Sequence, residues 1–229
     1  MYDSEKYPSQ VLREAVEAIG SLPGVGSRSA LRLALHLLGR PAEDIHRFAS
    51  AVGRLADDVR YCRCCQMISD GDICPICADR TRDAHTICVV ESVRDVMSIE
   101  ATGQYRGVYH VLGGIISPID GIGPSDIHIK ELVGRIQQLR TEDAAASAPD
   151  RASDLQEVAT STISSIEVIL ALSGDVEGET TSLYIYRQLE SLGVKVSTLA
   201  RGLGFGDDLE YADSLTLGRS LLGRQPFRP

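Results

Sequence analysis

No basic segment followed by an apolar one opens this chain, which begins MYDSEKYPSQVLREAVEAIG, so no secretory signal is expected. No apolar run approaches the roughly 20 residues that a membrane-spanning helix needs. Both absences point to a cytoplasmic protein that does not enter a membrane. The phosphate-binding string G-x4-G-K-[S/T] is missing too, which argues against nucleotide hydrolysis. The five histidines (His36, His46, His85, His110 and His128) are scattered, and none stands beside a serine or a second histidine as a nucleophile–base pair would. Positive charge is in deficit: 23 Lys and Arg face 32 Asp and Glu, for a net charge of −9. That balance excludes a generic polyanion binder. The deficit is uneven, however. Residues 1–60 hold eight bases and eight acids, leaving 15 bases against 24 acids in residues 61–229. Contacts to a polyanion are therefore expected at the N-terminal end.

Against these absences stand four cysteines, Cys62, Cys65, Cys74 and Cys77, spaced C-x2-C-x8-C-x2-C. In a cytoplasmic setting two such pairs read as a metal site before they read as disulfides. Four thiolates close a tetrahedron around Zn²⁺ and leave no open position, so the zinc is structural. The residues between the pairs, QMISDGDI, supply turn formers, and Pro75 fixes one backbone angle beside a ligand. Cys64 falls between two ligands and is expected to be a bystander. Cys88, inside TICVV, is expected to be a small buried hydrophobe.

The chain has 229 residues and is 43% hydrophobic, enough for one large domain or two to three small ones. Helical spacing marks residues 9–20, then SRSALRLALHLLG opened by Ser27 or Ser29, then a stretch from about Glu43 to Val59. After the cysteines the period changes. Strands are expected at Thr86–Val90, Gly107–Leu112, Val168–Leu172 and Val194–Leu199. Helices are expected at Val93–Ala101, from Ser125 to about Leu139, and from Thr180 to about Leu192. This alternation is that of an α/β unit with a mainly parallel sheet. Residues 141–161 are acidic, rich in Ala and Ser and weakly patterned, and read as an exposed excursion.

Two constellations could carry function. Between the first two helices lies Leu22-Pro23-Gly24-Val25-Gly26. Gly24 and Gly26 let backbone N–H groups approach a ligand, at a helix start that favours anions. Arg28 and Arg32 follow on the first turns. This is the pattern of a helix-hairpin-helix element gripping DNA phosphates without reading sequence; a plain αα-turn is the simpler alternative. Second, Glu91 follows one strand, and Asp175, Glu177 and Glu179 follow another. Carboxylates at the carboxyl ends of parallel strands could hold Mg²⁺ or offer an acidic face to a basic partner. In the tail, GLGFG followed by Asp207, Asp208 and Glu210 reads as a phosphate turn with acids, or as an interface turn and helix.

Taken in order, helix-LPGVG-helix, the four-cysteine knuckle, ICVVES, YRGVYHVLGGIISPIDGIGP, VEGETT, VKVSTLARGL and DLEYADSLTLGRSL resemble the bacterial RecR recombination mediators over nearly the whole chain. The resemblance implies a multi-domain α+β fold: a helix-hairpin-helix region at 1–60, a four-cysteine zinc finger at 61–84, a topoisomerase–primase (Toprim) domain at 85–201, and an acidic motif with a helical tail at 202–229. It also implies a non-catalytic DNA repair factor that forms dimers or tetrameric rings around DNA. Such a factor acts with RecF and RecO to load RecA on single strands coated with single-strand-binding protein. By this likeness Arg28 and Arg32 face DNA, while Glu91, Asp175, Glu177 and Glu179 face partners. Asp208 and Glu210 match the family's acidic C-terminal motif. One departure stands out. Catalytic Toprim domains carry D-x-D-x-E-G, and here Ser173 holds the first position, with Asp175 and Glu177 kept. The rival readings are a Mg²⁺-dependent Toprim nuclease or primase-like enzyme, and a zinc adaptor with no role on DNA.

Overall fold

The computed structural model describes residues 7–146, 166–200, 202–203 and 208–223. The chain divides into two compact units, one ending at Val59 and the other beginning at Arg60.

The first unit is helical. α1 (Gln10–Gly20) and α2 (Ser27–Leu38) pack through Val16, Ala30 and Ala34, with Leu12, Ile19 and Leu31 around them. Small residues at the contact let the two helices approach closely. α2 begins at Ser27, one of the two serines expected to open it, with Gly26 at the N-cap position. α3 (Ala42–Asp57) is amphipathic yet buries none of its residues. Phe48, Val52 and Leu55, spaced as one helical stripe, are each at least half exposed.

The second unit begins with the knuckle: a two-stranded ribbon, β1 (Arg60–Tyr61) with β2 (Ile68–Ser69), then the single turn α4 (Pro75–Ala78). The sheet that follows holds β3 (Asp83–Val90), β4 (Gly107–Val111), β5 (Glu167–Ala171) and β6 (Lys195–Thr198). Its order is β4-β3-β5-β6, and every pairing is parallel. The helices are α5 (Val93–Ala101), α6 (Ile129–Ala146), α7 (Val176–Leu189) and α8 (Ser214–Leu222). Strand alternation sorts the apolar residues onto two faces. Ile87, Val89, Val108, Val168 and Leu170 meet Leu132 and Ile136 of α6 and Ile185 and Leu189 of α7. Cys88, Val90, Tyr109 and Val111 meet Val96 of α5 together with Met67 and Ile76 of the knuckle. The knuckle therefore serves as part of one covering layer.

Three element boundaries depart from the sequence expectations. α7 begins at Val176 and not Thr180, because the Asp175 carboxylate accepts the Gly178 N–H at 2.7 Å and caps the helix. The acidic segment expected as a turn is thus the helix's first turn. α6 begins at Ile129 and not near Ser125. Asp126 first closes a turn onto the Gly123 N–H, and the His128 N–H is held by the Leu112 carbonyl. The far end of α6 continues through residues 141–146, the start of the expected excursion; 147–161 lie outside the described residues.

Candidate functional site

The strongest local geometry is at the cysteines. The four Sγ atoms of Cys62, Cys65, Cys74 and Cys77 all lie within 4.8 Å of one another, and Cys65 and Cys74 are 3.5 Å apart. A tetrahedron with Zn–S bonds near 2.3 Å places its sulfurs about 3.8 Å apart, so the set fits that ion. Backbone N–H groups also point at the sulfurs, from Cys74 to Cys62 at 3.3 Å and from Cys77 to Cys74 at 3.4 Å. The contacts among these sulfurs hold the Cys74 pKa below the ordinary thiol value and push that of Cys65 up. Cys64 stands half-buried beside this set and outside it. Cys88 is buried in β3, and burial pushes its thiol up to about 12.

In the hairpin, Val25 N–H donates to the Leu22 carbonyl and Gly24 sits at φ +80°. Pro23 then Gly24 are the second and third residues of a type II turn, where only glycine is unstrained. Nothing lies within 4 Å of a Cβ added at Gly24 or Gly26. Both glycines, Arg28 and Arg32 are exposed. Most arginines of this unit are engaged: Arg13 with Glu17, Arg40 and Arg47 with Asp44, Arg54 with Asp58. Arg28 and Arg32 make no ion pair among the described residues.

The acids sit at the carboxyl ends of β3 and β5, the two central strands, where the strand order reverses. Each is engaged by its own donor. Glu91 accepts the Ser173 N–H at 2.5 Å and so latches the two strand ends together. Asp175 accepts Ser173 Oγ–H at 2.9 Å in addition to its cap. Glu177 receives Ser117 Oγ–H at 2.7 Å, and Glu179 faces Arg219 of α8 at 3.8 Å. Among the described residues, only the four cysteines gather three or more potential metal ligands within 4.8 Å. A Cβ at Gly178 would stand 2.3 Å from the Ser173 carbonyl, so this glycine is what lets the helix start pass under the strand end. In the tail, Asp208 precedes a single 3-10 turn at Leu209–Tyr211, and Glu210 is exposed within it. Residues 204–207, the greater part of the expected phosphate turn and its first acid, lie outside the described residues.

Sequence reasoning misses the residues that fasten the knuckle to the sheet. β4 is an edge strand, and three of its outer polar groups are engaged. Arg82 donates to the Gly107 carbonyl at 3.1 Å, Arg135 to the Tyr109 carbonyl at 2.7 Å, and the Val111 N–H donates to the Cys65 carbonyl at 2.8 Å. Arg82 also holds Glu100 through both of its terminal nitrogens, and Tyr109 donates to the same carboxylate. Bonds from Arg82 keep Glu100 below its ordinary pKa. None of these partners is near in sequence, and a lone arginine carries no motif. His110, one of the scattered histidines, is fully buried. Its Nε2 meets the His128 carbonyl at 2.7 Å, and burial lowers its pKa to about 4.

Comparison with known proteins follows the same order along the chain. Residues 12–55 match the RecR helix-hairpin-helix family, 59–79 the RecR four-cysteine zinc finger domain, 85–200 the Toprim domain, and 202–225 the RecR C-terminal family. A recombination protein RecR of Porphyromonas gingivalis is 51% identical over 97% of this chain and 96% of its own length. Those of Bacteroides thetaiotaomicron and Flavobacterium johnsoniae are 47% and 44% identical over similar shares.

Proposed function

The chain belongs to the RecR family of recombination proteins, and from that premise we propose that it is a non-catalytic mediator of DNA repair that encircles DNA as a ring of copies. Partners of the RecF and RecO kind would dock on the acidic face, and together they would load RecA on coated single strands. The observation that carries the DNA reading is the pair of exposed arginines, Arg28 and Arg32, left without an acid beside an open glycine turn. The N-terminus of α2 adds a partial positive charge at the same place. Assembly is supported by α3, whose apolar residues Phe48, Val52 and Leu55 stay at least half exposed among the described residues. A ring also reconciles function with a charge of −9, since enclosure needs few ion pairs. One structural zinc per chain, held by Cys62, Cys65, Cys74 and Cys77, completes the reading.

The test is a salt titration of DNA binding. Changing both Arg28 and Arg32 to Ala should weaken binding alike on unrelated sequences and shrink the slope of log K against log salt by about 2. An unaltered slope would remove the hairpin from the DNA site. The rival, a Mg²⁺-dependent nuclease, keeps the Toprim match and the acids Glu91, Asp175 and Glu177 in its favour. Metal-dependent cleavage of labelled DNA that disappears in Glu91→Gln would establish it.

A further inference from the structure

A single exposed apolar side chain is ordinary on a protein surface. One held outward by a rigid scaffold is a different case, and Ile119 is held that way. It sits at the tip of a hairpin, Ser117-Pro118-Ile119-Asp120-Gly121-Ile122, and is 92% exposed. Ser117 and Ile122 close the hairpin by exchanging both backbone bonds, at 3.0 and 2.8 Å. The buried Ser117 hydroxyl braces it from within, accepting the Asp120 N–H at 3.2 Å and donating to Glu177 of α7 at 2.7 Å. At the root, the Ile116 N–H donates to Thr181 Oγ1, also on α7, at 2.9 Å. Ile116 and Ile122 pack inward on the core of the sheet, whereas Ile119 points out.

The surroundings select the kind of partner. Glu177, to which the hairpin is bonded, directly follows Val176, another large apolar residue, 82% exposed. Residues 113–127 and 173–183 hold five acids, Asp120, Asp126, Asp175, Glu177 and Glu179, and no lysine or arginine. Such a rim repels nucleic acid and draws a basic protein surface. A side chain fixed before contact also avoids the ordering cost that a mobile one adds.

We propose that Ile119 is the apolar anchor of the acidic face, seated in an apolar socket on a partner protein whose rim carries lysine or arginine. The proposal rests on the reading that RecF- or RecO-type proteins dock on this face, and it assigns the residue that such docking turns on.

Purified RecF and RecO of the same organism, titrated calorimetrically against the full chain, are the probes. Ile119→Ala should weaken binding of one of them about tenfold, the scale of an interface anchor. Ile119→Leu should stay within about threefold, since volume and hydrophobicity are kept. Because Ile119 lies outside the core, both variants should melt as wild type does. If neither protein binds wild type, the docking reading fails and the anchor goes with it. Equal affinity in wild type and Ile119→Ala would overturn the anchor while leaving docking on the acids standing. Wild-type binding that does not weaken between about 50 and 500 mM salt would overturn the basic rim. If Ile119→Ala leaves both affinities alone but lowers the mass seen by light scattering, the hairpin joins copies of this chain, and the proposal is overturned as well.

Discussion

The two units of this chain solve the same problem differently. The unit from Arg60 onward covers both faces of a parallel sheet, with α6 and α7 on one side and α5 and the knuckle on the other. The N-terminal unit buries three residues between two helices and leaves a third helix with an uncovered apolar stripe. One is complete as a single chain; the other is a set of surfaces. An amphipathic helix owes most of its stability to what its apolar face packs against. On the reading proposed above, the first unit would be completed by assembly and the second by its metal.

That contrast can be broken most forcefully at the zinc. Removing it with a chelator, or changing Cys74 to Ser, should cost the second unit up to about 10 kcal/mol of folding free energy. Thermal melts followed in the sheet should drop sharply. An unchanged melt would mean the layer on the α5 side stands without its metal.

A smaller effect sits inside the same unit. His110 has its folded pKa lowered to about 4 by burial, against about 6.5 when exposed. Its neutral form is favoured in the fold, so the stability it contributes is intact above pH 6.5 and falls as pH drops from 6.5 toward 4. The loss across that window is about 3 kcal/mol. Acidic groups held below their ordinary values, such as Asp83 and Glu100, keep their contribution through that window and lose it only as pH falls further, below about 4. The difference between the denaturant-unfolding profiles of wild type and His110→Gln should therefore lie between pH 6.5 and 4. Parallel profiles there would show that His110 is not buried as described.

The first unit should respond in assembly instead. Phe48→Asp puts a charge in the uncovered stripe of α3 and should weaken self-association about 100-fold, near 3 kcal/mol, read as mass by light scattering across concentrations. Melting of the second unit should barely move. Wild-type protein that is monomeric at every concentration would end the assembly reading outright.

Much of this is legible in the sequence alone, for physical reasons that vary by region. The cysteine spacing encodes a ligand set directly, since metal geometry is local. The central β3 and its neighbours β4 and β5 announce themselves as short apolar runs; the edge strand β6 is more polar and more exposed. The start of α7 misleads because an acidic, glycine-containing segment looks like a turn. It takes the bond from Gly178 to Asp175 to see that the acid is a cap. Arg135 is invisible in the sequence because its partner, the Tyr109 carbonyl, lies 26 residues earlier and is presented only once the β4 edge is in place. The stripe on α3 is visible as amphipathicity; that it stays exposed among the described residues is not.

The dressed edge of β4 has one more consequence. A strand with open outer N–H and C=O groups is a template on which other chains can add. Here two arginines and the Cys65 carbonyl occupy three of those groups, and the last of these depends on the knuckle keeping its shape. A chain stripped of metal should therefore open part of this rim and associate more readily, as light scattering before and after chelation would show.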